Sequence, residues 1–312
     1  HNMQVRGIQS GFDFLKGPAG FDIGESLFPF ESSQPYWQAF LVGLANTLRV
    51  AIIGIILTTI LGTLLGIGRF SRNALVRGVC YAYVEFFRNV PVLLQLLMWY
   101  LLFTEVLPAA ADAWTLGPLF LSKGGLSFPI PIWEAGHLWG VIGLIAGAAL
   151  AFIYRRWSFK QFEATGKLRS MFWVPLSLFV VTGVLGWFAG GGPAQFEFPV
   201  KGDFSIEKGG SLTPEFLSVL LGLTVYTAAF VAEVVRAGIS SVARGQGEAA
   251  SALGLNQGQT MQLVMLPQAL RVIIPPMTNQ FLNLTKNSSL AVAIGYPDVV
   301  SIANTALNQT GR

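Results

Sequence analysis

Few residues in this sequence have the types and spacing that bond-making chemistry requires. Lys286 followed by Asn287-Ser288-Ser289 is the arrangement closest to a nucleophile beside a base. It comes without an oxyanion or substrate signature, so no reaction is assigned to it. One cysteine, Cys80, and two histidines, His1 and His137, cannot assemble a Cys/His metal cluster, and no metal site is expected. The sequence has no G-x-x-x-x-G-K-S/T loop to cradle nucleotide phosphates. The chain is expected to be no enzyme and to carry no cofactor, and no nucleic-acid partner is expected. Two charge pairs stand out at helical spacing: Glu85 with Arg88, and Glu233 with Arg236. Residues three apart share a helix face. The pairs read either as local ion pairs or as a cytoplasmic gate whose charges exchange partners as the spans move.

Those charges must be held by membrane-spanning elements. Only 12% of the residues are charged, against 53% hydrophobic, whereas soluble domains carry roughly 25% charged residues. An ionised side chain at the bilayer centre costs at least about 2.5–3.5 kcal/mol, so this shortage marks an integral membrane protein. A span needs about 20 mostly apolar residues. Six are expected, at about 50–68, 80–107, 138–154, 171–189, 216–235 and 264–284. One set of connecting loops holds Arg69, Arg72, Arg77, Arg155, Arg156, Lys160, Lys167, Arg169, Arg236 and Arg244; the other holds Lys123, Lys201 and Lys208. The basic side is cytoplasmic by the positive-inside rule, and the first span runs inward. The chain opens on His1-Asn2-Met3 and closes on the weakly amphipathic SIANTALNQTGR, and both ends are expected to be truncated.

Inside the spans, Gln95, Thr224, Tyr226, Thr227, Asn279, Gln280 and Asn283 are polar groups that lipid cannot satisfy. They serve either helix-to-helix hydrogen bonds or the path of a solute with donors and acceptors. Pro275-Pro276 is expected to kink the last span. Gly62-x-x-x-Gly66 and Gly143-x-x-x-Gly147 suit close helix packing. The Gly/Pro-rich stretches around 114–136 and 190–215 read as extracytoplasmic loops with turns or short strands.

The stretch EAASALGLNQGQTMQLVMLP, residues 248–267, interrupts this greasy pattern. It is helix-compatible on both sides of Gly254, which takes a positive φ without a Cβ penalty. Pro267 suits a first helical turn. The expectation is a cytoplasmic helix–turn–helix presented to a partner. Glu248-Ala249-Ala250, Gly254, Val264 and Leu266-Pro267 resemble, at every position, the EAA loop of ABC importer permeases. YVEFFRNVPVLLQL, YTAAFVAEVVRAGISSV and LPQALRVIIPPMTNQFLNLTKNSSLAVAIGYPD are similar to segments of the polar amino acid permeases of that superfamily. With the insert at 108–215, the chain resembles the larger subunit of the general L-amino acid transporters of Gram-negative bacteria.

The resemblance implies an all-α polytopic permease of type I importer-like fold in a bacterial inner membrane, with an inserted helical hairpin and extracytoplasmic loops. It implies an L-amino acid as cargo, an ABC-type ATPase below the loop, a second related permease forming a heterodimer, and a periplasmic amino acid-binding protein. Residues 1–36 would form an extracytoplasmic segment, 37–107 and 216–312 the core, and about 236–263 the coupling loop. Two alternatives stay open: an ABC permease for another small solute such as a quaternary amine, or an ATP-independent channel or secondary transporter. The second usually needs a mid-membrane ionisable residue, which the uncharged span cores do not offer.

Overall fold

A computed structural model of the chain describes residues 12–165, 170, 172–202 and 205–311. His1, Lys167, Arg169 and Met171, which enter the expectations above, lie outside the described residues. Helices form where the apolar runs are uninterrupted: α1 Tyr36–Gly68, α2 Ala74–Asn89, α3 Val92–Leu101, α4 Ala135–Thr165, α5 Trp173–Ala189, α6 Pro214–Ser240, α7 Arg244–Ala252, α8 Leu266–Asn287 and α9 Val299–Thr310. Contacts divide the chain into two compact units. The first comprises the described parts of His1–Ala113, Leu121–Leu126 and Leu212–Arg312, and the second comprises Trp114–Phe120 with Ser127–Ser211.

In the first unit, α1 and α6 are each long and apolar enough to cross a bilayer. They touch along small residues. A Cβ added at Gly62 would lie 2.6 Å from Val231 Cβ, and one at Gly66 would lie 2.8 Å from the Ala232 carbonyl oxygen. Only a residue without a side chain lets the two backbones come this close. Toward the start of α6, Val50, Leu96, Phe216, Leu223, Leu284 and Tyr296 form a buried core. A second core joins Val231, Val235, Ala269 and Ile273 near the other end of α6.

α1 begins well before the expected residue 50 and still ends at Gly68. Its early turns contain Asn46 and Arg49, which a span tolerates because both are met by partners. The Asn46 amide donates to the carbonyls of Glu25 and Pro297 at 2.8 and 3.0 Å, and Arg49 pairs with Glu25 at 2.6 Å.

The expected single span at 80–107 is corrected. Ala74–Asn89 and Val92–Val106 meet at an angle of 103°. Pro91 causes the break: it offers no N–H to the helix and forces Val90 into extended backbone, at φ −94° and ψ 126°. α3 then ends in a π-helical turn, Leu102–Val106. At Pro275-Pro276, where a kink is expected, the helix is not interrupted. α8 runs through both prolines, and a bend of 50° comes later, between Ile294 and Val299. The tail predicted to be weakly amphipathic folds as α9, with Ile302 and Ala306 buried in a cluster with Tyr36 and Ala39 of α1.

In the second unit, α4 and α5 form a hairpin. α4 can cross a bilayer, and α5 is an apolar helix of 17 residues. Gly143, Gly147 and Gly186 lie at the contact, against Thr182, Phe179 and Trp139. α4 extends past the expected end at 154 and carries Arg155, Arg156 and Lys160 on helix rather than loop. Short strands occupy the Gly/Pro-rich stretches. Ile130–Pro131 pairs antiparallel with Phe196–Glu197, and Val200–Lys201 pairs with Ile206–Glu207.

Candidate functional site

The stretch 244–267 has its geometry fixed by its own hydrogen bonds. α7 ends in a Schellman turn: Leu255 N–H donates to the Ala250 carbonyl at 3.1 Å, and Gly254 N–H to that of Ser251 at 3.0 Å. Gly254 stands at φ +79°, and a Cβ there would meet nothing within 4 Å. Glycine is required by backbone conformation, not by crowding. Two residues on, Asn256 opens the next helical turn with a reciprocal capping box to Gln259, at 2.9 and 3.0 Å. A π-helical segment, Thr260–Met265, leads into α8, with Pro267 in its first turn. The Gln268 amide donates to Gln246 Oε1 at 3.0 Å, holding the start of α8 against α7.

This turn presents Glu248 and Ala249 outward with Leu253, Met261 and Leu263, while Ala250 is buried at 3% exposure. Val264 is half-buried, and Leu266 and Pro267 are exposed. Leu253 is 82% exposed, an apolar knob at the tip that none of the described residues covers.

The two charge pairs part company. Glu233 accepts from Arg236 Nε at 3.0 Å and from its Nη2 at 2.5 Å, and it also pairs with Arg69 Nη1 at 2.5 Å. One carboxylate therefore ties the end of α1 to α6. Among the described residues no ion pair joins Glu85 to Arg88. Arg88 lies 5.5 Å from the Phe230 ring centroid, and the Glu85 carbonyl oxygen accepts from Asn89. The local-pair reading is corrected for Glu85 and Arg88: both stand on α2 three residues apart, but the Arg88 guanidinium is set against the Phe230 ring rather than against Glu85.

The seven polar span residues fall into two groups. Gln95, Thr224 and Thr227 are buried at 1%, 5% and 2% exposure. The Gln95 amide donates to the carbonyls of Phe87 and Val90, both at 3.0 Å, which satisfies backbone groups left open by the break before α3. Gln95 Oε1, Thr224 Oγ1, Thr227 Oγ1 and Trp99 Nε1 are buried without a hydrogen-bond partner among the described residues. On α8, Asn279 and Asn283 are exposed and Gln280 half-buried; Tyr226 is half-buried with its ring 4.9 Å from that of Phe230. Lys286 activates no serine. The Ser288 hydroxyl donates to the Thr285 carbonyl at 2.7 Å, and Ser289 to that of Lys286 at 2.8 Å.

The described geometry is that of a helical membrane protein with a self-braced turn before α8. Residues 54–310 match the family described as binding-protein-dependent transport system inner membrane component. The chain belongs to that family. Over its full length this permease is 46% identical to the general L-amino acid transport system permease protein AapQ of Rhizobium johnstonii, spanning 78% of that protein. It is 41% identical to the putative amino-acid ABC transporter permease protein YhdX of Escherichia coli, spanning 80% of it. It is 38% identical to the glutamate/glutamine/aspartate/asparagine transport system permease protein BztB of Rhodobacter capsulatus, again spanning 80%. The permease is a multi-pass membrane protein, and its fold is that of ABC permeases with an inserted hairpin.

Sequence reasoning missed two features of the permease. Arg69 was visible only as one loop cation among several; its contact with Glu233 spans 164 residues and leaves no local signal. Glu25 is the other. It is 9% exposed, pairs with Arg49 and accepts from the Thr213 hydroxyl, while Arg49 lies 4.1 Å from the Phe216 ring centroid. Burial pushes the Glu25 carboxyl above its ordinary range, opposed by the Thr213 hydrogen bond and by Arg49. This contact clasps the segment before α1 to α1 and α6.

Proposed function

We propose that this permease is the passive, membrane-spanning half of an ATP-driven importer for polar or broad-range L-amino acids, and that the turn at Gly254 docks in a separate ATPase. The observation that carries the proposal is the braced turn itself. A Schellman turn, a capping box and the Gln246–Gln268 hydrogen bond fix the backbone, while Glu248, Ala249 and Leu253 are left outward. A turn that only connected two spans would need no such reinforcement and no exposed apolar tip. Held rigidly to α8 through Leu266 and Pro267, it can pass a partner's movement directly to that span. The amino acid cargo draws on the relatives, three of which are named for amino acid transport.

Asn279, Asn283 and Lys286 lie on one face of α8, all exposed on a helix of a membrane protein. Lipid satisfies none of them. This supports a second related permease beside α8, with the solute path between the two, and delivery of cargo by a periplasmic binding protein. The Arg69–Glu233–Arg236 group is the cytoplasmic gate in this reading; it can open only if α1 and α6 separate at that end. The cell location is the bacterial inner membrane.

The test uses the full-length permease co-expressed with its neighbouring genes. In the Glu248→Arg, Gly254→Leu double variant, the ATPase subunit is expected to be lost on purification while the membrane subunits stay together. L-amino acid uptake should fall with it. If the unsubstituted complex is intact and carries no ATPase, the importer reading is wrong.

A further inference from the structure

α4 leaves the apolar part of its span at Tyr154 and continues as helix to Thr165. On this extension Phe152, Arg155, Arg156, Phe159, Lys160 and Glu163 follow at steps of three and four, which puts them on one helix face. Together with Trp157 they line a cavity of about 840 Å³. Three cations face one carboxylate there, and among the described residues none of the three is in an ion pair. All three are exposed. The Arg156 guanidinium lies 4.6 Å from the Phe152 ring centroid. Phe152 and Phe159 stay 56% and 53% exposed, an aromatic area that water disfavours.

Aromatic bodies beside long cations, at the point where an apolar span ends, fit the boundary between acyl chains and headgroups. We propose that this face of α4 binds the headgroup phosphate of an anionic phospholipid. Arg155, Arg156 and Lys160 hold the phosphate, Arg156 braced by the Phe152 ring. The acyl chains lie along the apolar side chains that the hairpin exposes just below, such as Ile145 and Ile153. That continuity of apolar surface selects a lipid over a free anion, which needs none of it. Glu163 at the far end repels a headgroup of higher negative charge and sets the limit of the site. No residue of the coupling turn takes part, so the site stands whether or not the transport reading does.

Native mass spectrometry of the full-length complex tests this, with phosphatidylglycerol and phosphatidylcholine added in equal amounts. Phosphatidylglycerol should be retained in preference, and Arg155→Gln/Arg156→Gln/Lys160→Gln should weaken that retention by about 10–100-fold, each cation near a membrane surface contributing of order fivefold. The charge-keeping Arg155→Lys/Arg156→Lys should retain most of it, and Arg72→Gln/Arg77→Gln/Arg244→Gln, which removes as many cations elsewhere on the basic loops, should retain all of it. Equal loss in the last variant overturns the site in favour of bulk charge. Displacement of the lipid from the unsubstituted complex by inorganic phosphate at constant ionic strength overturns the choice of a lipid. Loss of the ATPase from the triple glutamine variant, with lipid retention unchanged, assigns the face to a protein partner and refutes the proposal. If that variant fails to assemble, retention by the unsubstituted complex decides: no preference for phosphatidylglycerol over phosphatidylcholine sinks the idea.

Discussion

Glu233 serves two cations from two helices, and the three members differ in how much solvent they see. Arg69 is 12% exposed, Glu233 27% and Arg236 37%. Removing the carboxylate with Glu233→Gln strands the most buried cation, and the expected cost is roughly 1–3 kcal/mol, below the usual value for a fully buried pair. Arg69→Gln should cost a similar amount. Arg236→Gln should cost under about 1 kcal/mol, because its pair with Glu233 is solvent-screened. Thermal melts of the purified complex in one detergent check the order, and an Arg236 variant as unstable as the Arg69 variant would contradict the lock between α1 and α6. The Glu233–Arg236 half of this group was legible from its spacing of three. The Arg69 half was not, because nothing local marks a partner 164 residues away. The same limit explains Glu85 and Arg88, whose spacing promised a pair that the structure does not make.

At the scale of elements, glycine sets how closely α1 approaches α6. Gly62→Leu would drive a side chain into Val231 and the Ala228 carbonyl. Since the clash includes backbone, the helices must separate, at an expected cost of at least about 2–3 kcal/mol. The variant should be found at less than half the normal level in membranes, with Gly78→Leu, where a Cβ would meet nothing within 4 Å, as the neutral comparison. Equal levels for the two would count against the crossing. The Gly62-x-x-x-Gly66 spacing suggested a close helix contact but not its partner, which the packing against Val231 and Ala232 supplies. The turn at Gly254 was legible for a different reason: its positive φ follows from the glycine itself, whereas the Asn256–Gln259 capping box beyond it was not anticipated. Pro91 was equally local, yet its effect was missed, because the apolar run on both sides of it reads as one span by length.

For the whole molecule, charge asymmetry between loops assigns an orientation, and a buried lone cysteine makes it easy to examine. Cys80 is 8% exposed, so a permease with one added cysteine reports mainly on that site. In intact cells, a membrane-impermeant maleimide should label Lys208→Cys and leave Ser251→Cys unlabelled; opened cells should label both. Labelling of Ser251→Cys from outside would invert the assigned topology and contradict the proposed docking of the Gly254 turn in an ATPase.

The sequence by itself determined that this is a multi-pass helical membrane protein, where most of its helices lie, and that the chain turns at Gly254 between two helices. Those properties follow from hydropathy and backbone preference. Only the tertiary structure decided that Arg69 shares Glu233 with Arg236, that Glu25 clasps the segment before α1, and that the Gln95 amide meets carbonyls at the break after Asn89. Each depends on which groups the packing brings within hydrogen-bond distance, and a buried charge or amide is tolerated only where that packing supplies its partner.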